Sequence, residues 1–243
     1  MELPITANIG GWPATRDDVR EWELKRAVRV SRKLDLAATD LPLAELTERL
    51  VERKLELGHA AIEELLEREL TASRLTARAT AAMSGARRQA CTIELSSDTG
   101  RAEQVVGWYA EAMAANDELP LIAACPDHYL SRTNADGSEE IIETTGGSPF
   151  PIRMFFDSSD TASITTAADP GYPTQWVAVA RAAADGRPIG GVRHQFRDRP
   201  GDGFDVILTV EFPWATLPHL ITAHRWHLAC EFSNWIEGTQ DAG

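Results

Sequence analysis

Only three of the 243 residues are cysteines, Cys91, Cys125 and Cys230. They are too few and too scattered for a disulfide framework and lack the paired spacing of a thiolate zinc site, so they read as reduced, mostly buried thiols. Long apolar runs are missing as well: none approaches the roughly eighteen residues of a membrane helix, and no membrane partner is expected. Nor is there a basic excess. Lys and Arg number 24 against 37 Asp and Glu, a net charge of −13. The basic residues are interleaved with acids instead of forming a patch, so nucleic acid is not an expected partner. The stretch "MELPITANIGGWP" has no basic segment followed by an apolar one, and a cytoplasmic location is expected. What is present, 43 % hydrophobic and 25 % charged residues, is the composition of a globular protein.

The pattern changes near residue 87. From about Thr15 to Arg87 the chain is rich in Ala, Leu, Glu and Arg with helical periodicity, which predicts an N-terminal helical region over residues 1–87. "TRDDVREWELKRAVRVSRKL" offers Thr15 as a cap and two Asp in the first turn, with Val19, Trp22, Arg26 and Val30 on one face. "LPLAELTERLVERKLELGHAAIEELLERELTASRL" predicts one long helix or two abutting ones, with Leu46, Leu50, Leu57, Ile62, Leu65 and Leu66 as core candidates and His59 in a packing or surface role.

Residues 88–243 alternate differently. "QACTIELS" predicts a strand, and "DTGRAEQVVGWYAEAMAAN" a helix bearing Val105, Trp108, Tyr109 and Met113. Strands follow at "LIAACPDHYLSRT", "SEEIIETT", "IRMFFDS", "QWVAVARAAA", "IGGVRHQFRD" and "FDVILTVEF", most joined by short turns such as "NADG" and "RPGDG". "SDTASITTAADPGYPT" reads as a loop able to cover an opening, and a last helix is expected from about Leu217 to Glu237, stopped by Gly238. This order predicts an α+β fold of helix-grip (START-like) type: an antiparallel sheet around a long C-terminal helix, with a cavity between them. The helical first third is a candidate for lidding that cavity or for homodimerisation.

The chemistry concentrates in "HRWHLACEFSNWIE". His224, His227, Glu231 and Asn234 form a polar stripe beside the apolar stripe of Ile221, Leu228, Phe232 and Trp235. A polar stripe at the edge of a packing interface needs partners, either hydrogen bonds or a metal held by an i, i+4 His and Glu. A second pair comes from a hairpin. If "NADG" is the loop, Thr133 faces Ser138 and His128 lies opposite Glu143; an odd-length loop separates them. In "IGGVRHQFRD" the alternation turns His194 toward the apolar side and leaves Arg193 and Arg197 outward and solvated.

These segments resemble a known family. "HLACEFSN" is similar to the His-x-x-x-Glu-[Met/Phe]-x-Asn signature on the last helix of the 2,4-diacetylphloroglucinol hydrolase and phloretin hydrolase family. "VRHQFRDRPGDGFDVILTVEF", "CPDHYL" and "IIETTGG" resemble that family's His-bearing and Glu-Gly-Gly-bearing strands, over roughly residues 120 to 237. The chain departs from the pattern at Cys125, which replaces a His-Pro pair, and in a shorter spacing from His128 to Glu143. The resemblance implies a helix-grip domain and a zinc-dependent hydrolase that cleaves a carbon–carbon bond between an acyl group and a phenolic ring. By motif, His128, Glu143, His227 and Glu231 would be the zinc ligands and His194 would face the substrate.

Imidazole and carboxylate also suit Fe²⁺ or Mn²⁺. C–C cleavage needs a proton donor near the ring, for which His194 and Tyr129 are the candidates. His224 is either an alternative ligand or a partner of His227. The expected partner is an aromatic or apolar small molecule. The competing expectation is a metal-free module that binds an apolar ligand and hydrogen-bonds its own His/Glu stripe.

Overall fold

The computed structural model describes residues 5–37 and 40–241. Where the sequence predicts helix through the first third, Ile5–Ile9 (β1) and Trp12–Thr15 (β2) form a hairpin. Gly10 and Gly11, with φ of 64° and 90°, close its two-residue turn; only such left-handed turns match the twist of the strands, and glycine adopts them without steric cost. Thr15 then caps α1 (Arg16–Lys33): its backbone N–H donates to Asp18 Oδ2 at 2.8 Å and its hydroxyl oxygen accepts from the Asp18 N–H. Helix α2 (Leu43–Ser84) is bent at Gly58, where φ is 66° and ψ 169°. Leu46, Leu50, Ile62 and Leu66 are buried on it, whereas Leu65 is 44 % exposed; neighbouring helical residues point about 100° apart, so Leu65 and Leu66 cannot both face inward.

The remaining elements are β3 (Arg88–Ser97), α3 (Ala102–Ala115), α4 (Glu118–Ala123), β4 (His128–Thr133), β5 (Glu139–Glu143), β6 (Ile152–Asp157), β7 (Thr174–Ala182), β8 (Pro188–Asp198), β9 (Phe204–Pro213) and α5 (Pro218–Asp241). Two expectations are corrected. The segment "LIAACPDHYLSRT" is not all strand: its first residues belong to α4, which buries Leu121 and Ile122, and a short apolar run without alternation fits either structure. Helix α5 runs through Gly238, which is not among the positive-φ glycines that could end it.

The strands form one antiparallel sheet in the order β2-β1-β3-β9-β8-β7-β6-β5-β4. Its inner residues, among them Cys91, Ile93, Phe196, Phe204 and Leu208, pack on Ile221, Leu228, Phe232 and Trp235 of α5. The fold is therefore α+β, a nine-stranded antiparallel sheet holding a C-terminal helix. A second core joins α1 and α2 to the β4–β5 edge through Val30, Leu50, Ile62, Leu130 and Ile142. Among the described residues no helix is long and apolar enough to cross a membrane.

Candidate metal centre and cavity

His128 and Glu143 meet by an unexpected route. The β4–β5 loop has five residues, not four: Thr133 pairs with Glu139, and the Asn134 N–H donates to the Ser138 carbonyl at 2.9 Å. An odd loop alone would set His128 against residue 144. The register shifts between His128 and Leu130, and this bulge absorbs the extra residue so that His128 pairs with Glu143. Tyr129, the bulged residue, is thrown into the α1–α2 core and lines a separate pocket with Lys54 and His59. It is not among the residues lining the main cavity, which removes it as a proton donor there.

The hairpin must then reach α5. Gly146 and Gly147 follow β5, and a Cβ on Gly147 would stand 2.6 Å from the Ala223 Cβ. Their missing side chains let the backbone lie directly against the turn of α5 that carries His224 and His227. On the other side, α1 grips α5: Arg16 Nε donates to Glu237 Oε1 at 2.9 Å and its NH2 also reaches Asn234, whose Nδ2 donates to Glu23 Oε1 at 3.0 Å and to the Ala124 carbonyl at 2.8 Å. The polar stripe of α5 is thus divided. Asn234 belongs to the contact with α1, and the three residues before it face the cavity.

His128, Glu143, His227 and Glu231 converge. The two Nε2 atoms of His128 and His227 are 3.2 Å apart. Glu143 Oε2 lies 3.6 Å from the first and 3.7 Å from the second, and Glu231 presents Oε1 to His128 at 3.8 Å and Oε2 to His227 at 3.9 Å. Zinc bonds of about 2.0–2.2 Å in a tetrahedron place ligand atoms about 3.3–3.6 Å from one another, close to the spacings among His128, His227 and Glu143, while Glu231 presents a different oxygen to each histidine. The opposite ring nitrogens are engaged elsewhere, His128 Nδ1 with the Leu121 carbonyl at 2.9 Å and His227 Nδ1 with Cys125 Sγ at 3.6 Å. The two Nε2 atoms face each other across 3.2 Å, at the positions from which an ion would be held. Two donor triads share His227, Cys125 with His128 and Glu143 with His224, each with its ligating atoms within 4.8 Å; Glu231 belongs to neither.

The metal-free electrostatics show what these four groups lack. Burial would push Glu143 up, but the charges of His227, His128 and His224 hold it down to about 2. His227, despite burial, is raised well above the usual imidazole range by Cys125 and Glu143. Glu231 is pushed far up by burial and stays protonated, while His128 is lowered by burial and by His227. The shifts run in opposite directions, Glu143 and His227 toward their charged forms and Glu231 and His128 toward their neutral ones, and a divalent cation bound among them would displace protons.

The centre opens into a cavity of about 500 Å³. Tyr109, Met154, Phe156, Trp176, Val192 and Leu228 form much of its wall, and among the described residues no Lys or Arg lines it. Ser73, Thr76 and Thr80 of α2 line it as well, beside the partly exposed Phe150 and Leu217. His194 lines it from β8, with its ring 5.4 Å from Trp176 and 4.9 Å from Phe232 and a buried Nδ1 that has no hydrogen-bond partner. Burial brings His194 down to about 3, so it is neutral. His224 stacks on His227 at 5.0 Å and is held near 3 by burial and by His227.

Tyr109 is the residue that sequence reasoning placed only on an amphipathic face. It lies 4.0 Å from Trp176, ring to ring, and burial followed by the charges of Glu139, Glu231 and Glu143 keeps its phenol protonated. The loop 158–173, expected over an opening, instead covers the outer face of the sheet. Thr165 and Thr166 N–H donate to Glu211 Oε1 at 2.7 and 2.5 Å, Arg193 Nε donates to the Thr166 carbonyl, and Gln195 bonds Asp169. Arg193 is consequently bound to this loop and not free in solvent.

No protein-family profile matches the chain, and no curated protein matches it. The chemistry of the centre is read from its geometry.

Proposed function

We propose that the protein is a metal-dependent hydrolase that cleaves the carbon–carbon bond between an acyl group and a phenolic ring, in the manner of the family its motifs resemble and on that family's START-like helix-grip. The observation that carries this reading is the convergence of two His and two Glu, whose His–His and His–Glu contacts are 3.2–3.9 Å, with Glu143, His227 and Glu231 in the wall of an apolar cavity. His128, Glu143, His227 and Glu231 would hold the ion, with zinc the best match to this donor set and Fe²⁺ or Mn²⁺ compatible with it. A bound ion of this kind supplies Lewis acidity toward a carbonyl oxygen and an activated water.

The chain supplies the rest. A cavity without Lys or Arg favours a neutral substrate over a carboxylate or phosphate, since nothing there would offset the cost of desolvating an anion. Trp176, Phe156 and Tyr109 offer faces to an aromatic ring. In the reaction an aryl ketone and water give an arene and a carboxylic acid. The ring carbon gains a proton as the acyl carbon gains oxygen, and the phenol assists by ketonising at that carbon. His194 and Tyr109, both uncharged in the cavity wall, are the groups that can move this proton.

The test is elemental analysis of the purified protein together with an absorbance screen against acylated phenols, with and without chelator. Near-stoichiometric metal and chelator-sensitive release of a carboxylic acid are expected. Metal far below one per chain that incubation with zinc does not raise would sink the reading.

A further inference from the structure

His227 differs from His128 in what fixes its ring. The Nδ1 of His128 meets a backbone carbonyl, one of the usual partners of a metal-bound imidazole. The Nδ1 of His227 meets a sulfur, Cys125 Sγ, at 3.6 Å, and that thiol is fully buried. Its Nε2 faces His128 and Glu143 at 3.2 and 3.7 Å, and the ring is flanked by His224, stacked at 5.0 Å, and Trp22, edge-on at 6.5 Å, neither of which can choose its tautomer. The residue before Cys125 is tied down: the Ala124 carbonyl accepts from Cys230 Sγ at 3.7 Å and from Asn234 Nδ2 at 2.8 Å, which anchors the segment entering β4 on α5.

Resting on the metal reading above, we propose that Cys125 is a positioning residue for that centre: its sulfur accepts the Nδ1–H of His227 and thereby holds the tautomer that turns Nε2 toward His128, Glu143 and Glu231. Cys125 also lies in a donor triad with His128 and His227, so direct ligation by sulfur is the competing role. The geometry favours positioning. The sulfur's contact is with Nδ1, and an ion held there would lie on the far side of the ring from both carboxylates and leave Glu143 and Glu231 without it.

Cobalt and zinc are titrated into metal-stripped wild type, Cys125→Ser, Cys125→Ala and Cys230→Ala in competition with a chelator, with near-ultraviolet and visible spectra recorded and folding checked by circular dichroism. Cys125→Ala should bind roughly ten- to a hundredfold more weakly, the usual consequence of removing such a partner. Cys125→Ser should recover part of the loss, because its hydroxyl can accept the same proton. The visible cobalt bands should move in the alanine variant, and no sulfur-to-cobalt charge-transfer band should appear in wild type. Equal affinities in wild type and Cys125→Ala overturn the proposal, as does an equal loss in Cys230→Ala, which would reduce the effect to packing. A wild-type charge-transfer band that vanishes in Cys125→Ser overturns it in favour of ligation. Wild type that takes up neither metal overturns the metal centre itself and this role with it, an outcome distinct from the others.

Discussion

Arg26 of α1 holds Asp127 in a two-bond fork, Nε to Oδ2 at 2.7 Å and NH2 to Oδ1 at 2.6 Å, with the carboxylate wholly out of solvent. The next residue is His128. The fork therefore fixes the strand entry from which the first histidine of the centre projects, and it ties that entry to a helix more than a hundred positions away.

Removing one partner strands the other. Arg26→Ala should destabilise the protein by about 3–5 kcal/mol, the typical cost of an uncompensated buried charge, and should lower zinc content through His128. Replacing both by apolar residues, Arg26→Met with Asp127→Leu, should restore most of the stability. Urea unfolding of the two singles and the double gives the coupling; additive losses would show that the fork is not the source.

A second buried acid sets a pH dependence. Burial lifts Glu23 from 4.5 to about 7 despite Arg16 nearby. Its folded-state pKa is raised, so between about pH 4.5 and 7 the unfolded chain has lost a proton that the folded protein keeps, and stability falls as pH rises through this window. The loss is complete above about 7. Glu23→Gln should remove this component, on the order of 3 kcal/mol, so the wild-type and variant urea midpoints should diverge across that interval. Parallel curves would exclude Glu23 as the titrating group.

The histidines should separate by assay. His227→Ala and Glu231→Ala should strip the metal. His194→Ala, whose ring lies in the cavity wall 4.9 Å from Phe232 and 5.4 Å from Trp176, should retain it while losing turnover. His224→Ala should retain metal with altered affinity, since His224 stacks on His227 and lies in one triad. Metal analysis beside a turnover assay distinguishes them, and complete loss of metal in His224→Ala would make it a ligand.

Close approach of the β5 hairpin to α5 predicts a rescue. Gly147→Ala would set a methyl 2.6 Å from the Ala223 methyl and should cost about 1–3 kcal/mol, as overpacking does, with metal loss as Glu143 is pushed away. Ala223→Gly weakens the helix alone by about 1 kcal/mol, yet should return metal to the double variant. Thermal unfolding and metal content of all three proteins test this, and a double variant no better than Gly147→Ala refutes it.

Local pattern carried a large share of this fold. The alternation of "QACTIELS" and "FDVILTVEF" and the apolar stripe of Ile221, Leu228, Phe232 and Trp235 each appear as elements packed on one another. His128 faces Glu143 because a five-residue loop and a one-residue bulge offset each other, so a four-residue loop without a bulge gives the same pairing. Bulges leave little trace in single-sequence periodicity. That same bulge carries Tyr129 out of the cavity, and Tyr109 takes its place from a helix whose facing depends on tertiary packing. The hairpin at Gly10 and Gly11 did have a signal, a glycine pair between alternating residues, which the helical composition downstream obscured. Loop 158–173 lies on the outer face because Glu211 and Gln195 offer carboxylate and amide groups to its backbone, a preference no spacing reveals.

The two halves of the donor set differ in how they can assemble. His227 and Glu231 stand one helical turn apart and face the same way as soon as α5 forms, whereas His128 is 99 residues from His227 along the chain. Closing so long a loop is entropically costly and slow compared with forming a helix. A chain refolding in the presence of metal can therefore engage the ion first through the helical pair and gain the hairpin ligands last. On the metal reading proposed above, the centre would report completed folding: only a molecule whose edge strands have reached α5 would bring all four groups to one ion.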